Sequence, residues 1–566
     1  MSKDSFAREY GQSPAVLPVH QWSEETVRKI DGRPIIRVNL LEGYDKVDFR
    51  VEGPFSVMDL KGDPIFANIT SELMWRSRVE HSRGGQFIYS ILLTAFRQRD
   101  LAMELLRHLE SKGHHGYIRR LGYPLEIDGK VVSDNTKYRV LAGNFLTDAD
   151  ARKSLSTFSD DFAPRVIREK IHPPVGQLEV YDAEYDRSAT VKDGFRVVPH
   201  SADSITTLYG VRVGTGFHYE KQEDRKYRGI MEIRLDNEGM LQAISEVSLD
   251  IYLKGVVSSD IPANFPKEAL MAQAIASRSE VLAKLGTKHL NDPFDLCATV
   301  HCQVYSGITD ENPQTNDIVE ATFGKVLVFE DNICDAVSNP VCGGHTENKE
   351  NVWNPPAEKY LTGFFDGDPG DEDLKKLDLT KEKDVTAWIK VSPPMYCNPK
   401  GKEAIFTSEH QHRYFRWEIA YSRQELQEII LKKTGEDIGT LYDIIPLQRG
   451  VSGRLIEIEI LGSRKNLKIK KELNIRRALS ETELKSSCFI VETELGEMGN
   501  PVSVTLRGAG WGHGVGMCQY GAAAMASEGI AHKEILQHYY PGSSITLLYH
   551  VDPEIKPKST KKPKAK

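Results

Sequence analysis

The sequence predicts an α+β protein, and three observations carry that prediction. The stretches 34–60 and 227–253 alternate apolar and polar residues as half-buried strands do. The stretch 266–285 has helical periodicity and is rich in alanine, and a strand–helix–strand order occurs twice between 85 and 170. Strands and helices never settle into a regular βαβ rhythm, which argues against a doubly wound sheet.

From the N-terminus, 34–60 reads as a hairpin turning at Glu42-Gly43. The internal repeat comes next. Residues 89–93 lead to Phe96, Ala102, Leu106 and the pair Tyr117-Ile118; residues 138–142 lead to Phe145, Ala151, Leu155 and Val166-Ile167. Offsets from the two phenylalanines agree, so 85–175 is expected to form a four-stranded sheet with two helices on one face. The run 227–253 reads as strands with a turn at 236–239. The stretch 266–285 reads as a helix with Pro266 at its first position, Glu268 near its positive end and Gly286 as its stop. The acidic stretch 364–385 reads as a surface loop. A strand at 414–421 leads into a helix at 422–434, started by a Ser422/Glu425 capping box and stopped by Gly435. Strands return at 454–474 and 498–507, and a short helix is expected at 521–528.

A chain of 566 residues exceeds one core, and its 27% charged and 40% hydrophobic content is that of an ordinary soluble protein. A net charge of -8 excludes a chain-wide nucleic-acid surface. No apolar run reaches the roughly eighteen residues of a membrane-spanning helix. Residues 1–18, with Asp4, Arg8, Glu9 and no apolar centre, do not read as a secretory signal. The lysine-rich tail 551–566 is expected to be disordered, either solubilising the chain or adhering to an anionic surface. Seven cysteines, an odd number spread from Cys297 to Cys518, are not a disulfide scaffold.

Four constellations carry chemistry. The first, 250–262 (DIYLKGVVSSDIP), runs straight into EALMAQAIASRSE and offers one carboxyl, Asp260, at a turn before a proline. Second, His289, Cys297, His301 and Cys302 gather the thiolates and imidazoles that tetrahedral Zn²⁺ takes; the alternative is buried thiols beside a surface histidine. Third, 339–348 (NPVCGGHTEN) holds a tight paired-glycine turn, with Cys342 close to His345. Fourth, 507–522 (RGAGWGHGVGMCQYGA) alternates glycines around Trp511 and His513, as a sugar-contacting loop or as buried packing; without a βαβ unit it is not a dinucleotide fingerprint.

These motifs, in this order over about 230–545, resemble the SpoIID/LytB family of glycan-cleaving and amidase-enhancing proteins. That family carries EYLKGVVxxEMP, EALKAQAxAARTY, a cysteine loop ending THCQVY, SSGGxT and GxGWGHGVGMSQYGA. The resemblance implies a SpoIID-like domain over 176–550, joined by a strand pair from 1–84, with 85–175 inserted near the front. The inserted unit resembles the SPOR domain, which binds glycan strands stripped of peptide stems. By the same resemblance Asp260 takes the place of the family's catalytic glutamate. Substrate contacts fall on Arg278, Gly343, Gly344, His345, Thr346, Trp511, His513, Gln519 and Tyr520. Structural zinc falls on His289, Cys297, His301 and Cys302.

One acid suits a lytic transglycosylase, in which the muramic C6 hydroxyl attacks and leaves a 1,6-anhydro end; a hydrolase normally adds a second carboxylate. The implied partners are peptidoglycan glycan strands and a cell-wall amidase, and the implied place is the cell envelope. The alternative is a non-catalytic wall-binding enhancer of that amidase. Three departures stand out: aspartate for glutamate at 260, and cysteine for serine at 342 and 518.

Overall fold

The computed structural model describes residues 16–18, 29–30 and 32–549, apart from 128–129, 159–163, 215–219, 354–355, 483 and 498. The tail 551–566 and most of 1–18 lie outside the described residues. The architecture is α+β.

Two sheets face each other in the N-terminal half. One runs in the order Ser188–Lys192, Val175–Asp182, Trp75–Arg83, Lys46–Val51, Thr206–Val213, Lys221–Tyr227. The other runs Lys29–Ile30, Arg33–Tyr44, Leu241–Ser248, Ile230–Leu235, Gly194–Pro199, Phe55–Asp59, Pro64–Ile69, and Leu296–Cys297 adds in parallel beside Arg33–Tyr44. Their facing residues are the alternating apolar set that the sequence displays: Trp75 meets Phe55 edge-on at 5.8 Å and Phe49 meets Phe195 at 6.3 Å.

The expected hairpin at 34–60 is not one. Arg33–Tyr44 and Lys46–Val51 belong to different sheets, and the chain crosses between them at Asp45. The bend comes from Gly43 (φ 75), whose N–H is held by the Asp236 carboxylate at 2.8 Å. The strand reading of 227–253 also runs too far. Ser248 caps a helix, Leu249–Asp260, its hydroxyl accepting from the Ile251 N–H. A local side-chain bond thus overrides the strand-like composition of residues 249–253.

The repeat at 85–170 folds as one antiparallel sheet in the order Gly116–Leu121, Lys137–Phe145, Gln86–Phe96, Arg165–His172, and Val16–Pro18 adds a fifth strand in parallel beside Gly116–Leu121. Helix Arg99–Ser111 buries Ala102, Leu105, Leu106 and Leu109, one face at i, i+3, i+4, i+7. Helix Asp148–Lys153 starts at a Thr147 cap. The unit leaves and re-enters the main body where Arg83 pairs with Val175, so it is an insertion at one sheet corner.

A hairpin, Pro124–Ile127 with Lys130–Asp134, lies outside the repeat and reaches from this unit into the main body. It carries Tyr123, Leu125 and Ile127 into the main core, and Asn135 bonds to the Leu285 carbonyl. Gly122 N–H donates to the Gly286 carbonyl at 2.9 Å.

The second half of the chain packs helices on the sandwich. Helix Lys267–Lys284 is buried along nearly its whole length, against Leu249–Asp260, Gln519–Ser527 and His532–Tyr539. A separate core gathers Trp417, Leu426, Ile430, Ile458, Ile475 and Leu506. It contains helix Arg423–Thr434, which Ser422 caps and Gly435 (φ 74) ends, as the capping box predicts. The stretch read as an acidic surface loop is only partly that. Helix Glu382–Lys390 buries Val385, Trp388 and Ile389, and Asp366 is fully buried.

Gly286 tests the docking of the hairpin. At φ +67 it faces the Tyr123 ring, and an added Cβ would lie 2.3 Å from that ring. Gly286→Ala is expected to cost about 1–3 kcal/mol through overpacking and strain. Scanning calorimetry reads this as a lower unfolding midpoint, and an unchanged midpoint would mean that the contact does not hold the unit in place.

Candidate functional site

Asp260 is the last residue of helix Leu249–Asp260, stopped by the extended Ile261 and by Pro262. The helix sits close under the loop at 305–307 because Gly255 has no Cβ; one there would meet the Gly307 carbonyl at 2.7 Å. The half-buried Asp260 carboxyl accepts no hydrogen bond from any described residue. Burial pushes its pKa up to about 8, the charge of Glu280 adds to that, and Lys284 opposes it.

Glu280 and Lys284 belong to a polar stripe on the otherwise apolar helix Lys267–Lys284. Gln273, Ser277, Glu280 and Lys284 recur at four-, three- and four-residue steps, which places them on one face. Gln273 Nε2 donates to Ser277 Oγ at 3.1 Å and to Ser338 Oγ at 3.2 Å. Gln303 Nε2 donates to Glu280 at 2.8 Å, and Lys284 pairs with Glu280. The sequence reading missed Glu280, although the spacing of the stripe was there to be read.

The glycine loop forms a neighbouring wall. Val341 and Trp511 exchange backbone hydrogen bonds, 3.1 and 2.7 Å, which places this loop against the paired-glycine turn. Trp511 is 36% exposed and packs on Tyr414 at 4.3 Å. The rings continue inward through Tyr520 to Phe265, five residues beyond Asp260. His513 packs on the exposed Trp353 at 4.8 Å. Burial lowers its pKa to about 3, with Arg454, Arg476 and Lys284 adding to the effect, so the ring is neutral. Its Nδ1 accepts from the Val515 N–H at 3.0 Å, and the Ser338 backbone takes the ring's other hydrogen bond.

Other expected contacts lie inside the protein. Arg278 is fully buried, and its guanidinium donates to Asp250 at 3.0 Å and to the carbonyls of Thr322 and Lys325. It anchors the helix and cannot reach a substrate. Gly343 and Gly344 hold φ 83 and φ 100 and have no room for a Cβ, with Gly510 N 2.8 Å from the position on Gly343. His345 is buried and uncharged, burial lowering its pKa to about 4, and its Nδ1–H donates to the Thr346 carbonyl. Thr346 caps the Phe364 N–H, and Gln519 reaches Gln273 at 3.4 Å. Tyr520 is buried in the ring cluster. These residues were read as substrate contacts because loop glycines and polar side chains look accessible in a sequence; here they fasten the wall. Trp511 and His513 keep exposed surface.

The residues His289, Cys297, His301 and Cys302 do converge, their ligand atoms all within 4.8 Å of one another. Cys302 Sγ lies 3.2 Å from His289 Nε2 and 3.5 Å from His301 Nδ1. Asp292 holds the far nitrogen of His289 at 3.2 Å and itself accepts from Asn237. A carboxylate behind a histidine is the usual support of a ligating imidazole, so the donor set fits a tetrahedral ion. No described helix is long and apolar enough to cross a membrane.

Comparison with known proteins gives three family matches: residues 237–329 to the stage II sporulation protein (SpoIID) family, 85–168 to the SPOR domain, and 347–516 to a domain of unknown function (DUF8618). An uncharacterised protein of Brachyspira hyodysenteriae is 27% identical over 70% of this chain and 94% of its own length. The amidase enhancer of Bacillus subtilis is 26% identical over 52% of this chain and 40% of its own length. Stage II sporulation protein D of Bacillus subtilis is 28% identical over 54% of this chain and 76% of its own length.

Arg278→Met leaves the buried Asp250 with only Arg33 at 3.8 Å and the Tyr549 hydroxyl at 3.3 Å, and is expected to cost about 3 kcal/mol of stability. Affinity of the protein that remains folded for glycan should be unchanged. Thermal unfolding and a pull-down on insoluble peptidoglycan read the two separately.

Proposed function

From a chain that carries a SpoIID segment and a SPOR domain, we propose a protein of the bacterial cell envelope that acts on peptidoglycan. Its activity is that of a lytic transglycosylase on denuded glycan strands, and Asp260 is the general acid. One observation carries this reading: a half-buried carboxyl at a helix end that accepts no hydrogen bond from any described residue and that burial and the charge of Glu280 hold protonated up to about pH 8.

The protonated Asp260 gives its proton to the glycosidic oxygen as the C1–O bond breaks. The resulting carboxylate takes the proton of the muramic C6 hydroxyl as that oxygen bonds to C1. The product carries a 1,6-anhydro end, and the acid is regenerated without water. Glu280 is held in place by Lys284 and Gln303, and its field keeps the proton on Asp260. Trp511 offers a face for a sugar ring. The SPOR domain holds the same strand. Zinc at His289, Cys297, His301 and Cys302, with four protein ligands, is structural: it shapes the loop beside Gln303 and supplies no chemistry to the reaction.

A second reading rests on the side chain at 260, which is one methylene shorter than glutamate, about 1.5 Å. A misplacement on the order of 1 Å costs about a hundredfold. In that reading the cleft binds glycan and the protein enhances a cell-wall amidase.

Denuded strands incubated with the protein are expected to yield 1,6-anhydro ends by mass spectrometry. Asp260→Asn should lower the rate by about 10²–10⁴. Absence of product from the wild type and from Asp260→Glu alike would leave the binding reading.

The pH profile is set by the raised pKa. The acid form donates, so the rate should fall as pH rises through about 8. The folded state also holds a proton between 3.8 and about 8 that the unfolded chain has lost, so this group makes stability fall with rising pH across that window. Both trends should vanish in Asp260→Asn.

A further inference from the structure

We propose a second metal site, a buried tetrahedral zinc centre formed by Cys342, Cys397, Cys518 and Asp366. The four residues come from separate segments: the paired-glycine turn, the loop after helix Glu382–Lys390, the cap of helix Gln519–Ser527, and the strip at 364–367. Their ligand atoms all lie within 4.8 Å of one another, and all four side chains are buried. Cys342 Sγ is 3.5 Å from Cys397 Sγ and 3.1 Å from Asp366 Oδ2. Tetrahedral zinc with bonds of about 2.3 Å holds its sulfurs about 3.8 Å apart, so the cluster has the size of a coordination shell.

The surroundings are those of a ligand set. Asp366 Oδ1 accepts from Tyr539 OH at 2.8 Å and lies 3.1 Å from His538 Nε2, which turns Oδ2 toward the sulfurs. Backbone N–H groups point at two of the sulfurs: Gly344 at Cys342, and Cys342 and Gly521 at Cys518. Such donors stabilise thiolates rather than thiols. Three cations stand around the cluster, each holding backbone of the segments that bear the ligands. Arg454 donates to the Cys342 carbonyl, Arg416 to that of Gly343, and Lys402 to those of Met395, Tyr396 and Asn398. Three thiolates and a carboxylate around a divalent ion would leave a net negative charge, which these cations offset.

The sequence adds an independent line. The family resemblance puts serine at 342 and at 518, far apart along the chain. Both positions are cysteine here, and they meet at one point, where Cys397 and Asp366 also lie. One shared ion accounts for sulfur at two positions that are remote in sequence and adjacent in the fold.

With four protein ligands the site is closed, hence structural. It ties the paired-glycine turn to the glycine loop and to the segment bearing Phe406, whose ring stacks on Tyr520 at 4.8 Å. It therefore braces the wall that ends in Trp511.

The test is metal content of the full chain, reconstituted with zinc under reducing conditions and measured by plasma mass spectrometry. Cys397→Ser and Cys518→Ser should each hold one zinc fewer per chain than wild type, whereas Cys297→Ser should keep the ion held by this site. Folded Cys397→Ser with the zinc content of wild type would overturn the proposal. One zinc in wild type that Cys297→Ser keeps and Cys397→Ser loses supports this site and removes the one at His289, so the two are told apart.

Should Cys397→Ser and Cys518→Ser fail to fold, the double variant Cys297→Ser/Cys302→Ser loaded with Co²⁺, which keeps no thiolate at the His289 site, must still show thiolate-to-cobalt charge-transfer absorption; its absence overturns the site. Thiol titration of the wild type, unfolded in chelator without reductant, should find all seven thiols. Two fewer would mean a disulfide instead.

Discussion

The near-complete burial of helix Lys267–Lys284 is the constraint on which the rest of the structure depends. Fifteen of its eighteen residues are buried, so each polar group it carries needs a partner inside the protein. Its alanines let helices approach closely, and the facing helix Gln519–Ser527 answers with Ala522, Ala523 and Ala524. Polar pairs add fixed points to this packing, one of them, Gln273 with Gln519, between the two helices. Arg278 meets Asp250, Gln273 meets Gln519, and Glu280 meets Lys284 and Gln303. The same demand that fixes the helix therefore creates the electrostatic setting of Asp260. A buried ion pair contributes little net stability, but breaking one is costly, so the arrangement acts more as a specification than as glue.

Much of the fold was legible because it obeys local rules. The repeat at 85–170 shows its helix faces at i, i+3, i+4, and the Ser422 cap and Gly435 stop mark a helix outright. The expectations that failed were non-local. Whether Arg33–Tyr44 and Lys46–Val51 pair or part depends on Asp236, almost two hundred residues away, holding the Gly43 N–H. The stretch after Ser248 is rich in residues that suit a strand, and one hydroxyl decides for a helix.

The site divides in the same way. Four dispersed metal-ligating residues converge as their chemistry suggests, since thiolates and imidazoles have few other reasons to cluster. Most of the expected substrate contacts are buried, because a motif records which residues occupy a place and not which way they face. His345 and Thr346 are spent on backbone groups of their own turn. Asp366 lay hidden in an acidic stretch whose composition spoke for solvent; only the fold shows that this one carboxylate turns inward.

The inserted SPOR domain changes how two binding surfaces can cooperate. Were it tethered by a flexible linker, its benefit would be an effective concentration set by linker length. Here the entry and exit strands are paired, and the hairpin at 124–134 is rooted in the main core beside Gly286, three residues before His289. Geometry between the two units is thus part of the fold, and under the proposed function a glycan held by one would be presented to the other at a fixed offset. Preorganisation of that kind lowers the ordering cost of binding. It also bears on the short acid. A carboxyl that reaches less far demands a substrate held more closely, and a chain with aspartate at 260 gains most from a rigid aromatic wall and a docked second binder. Under the proposed function, reach given up at the acid would be offset by stiffness in its surroundings.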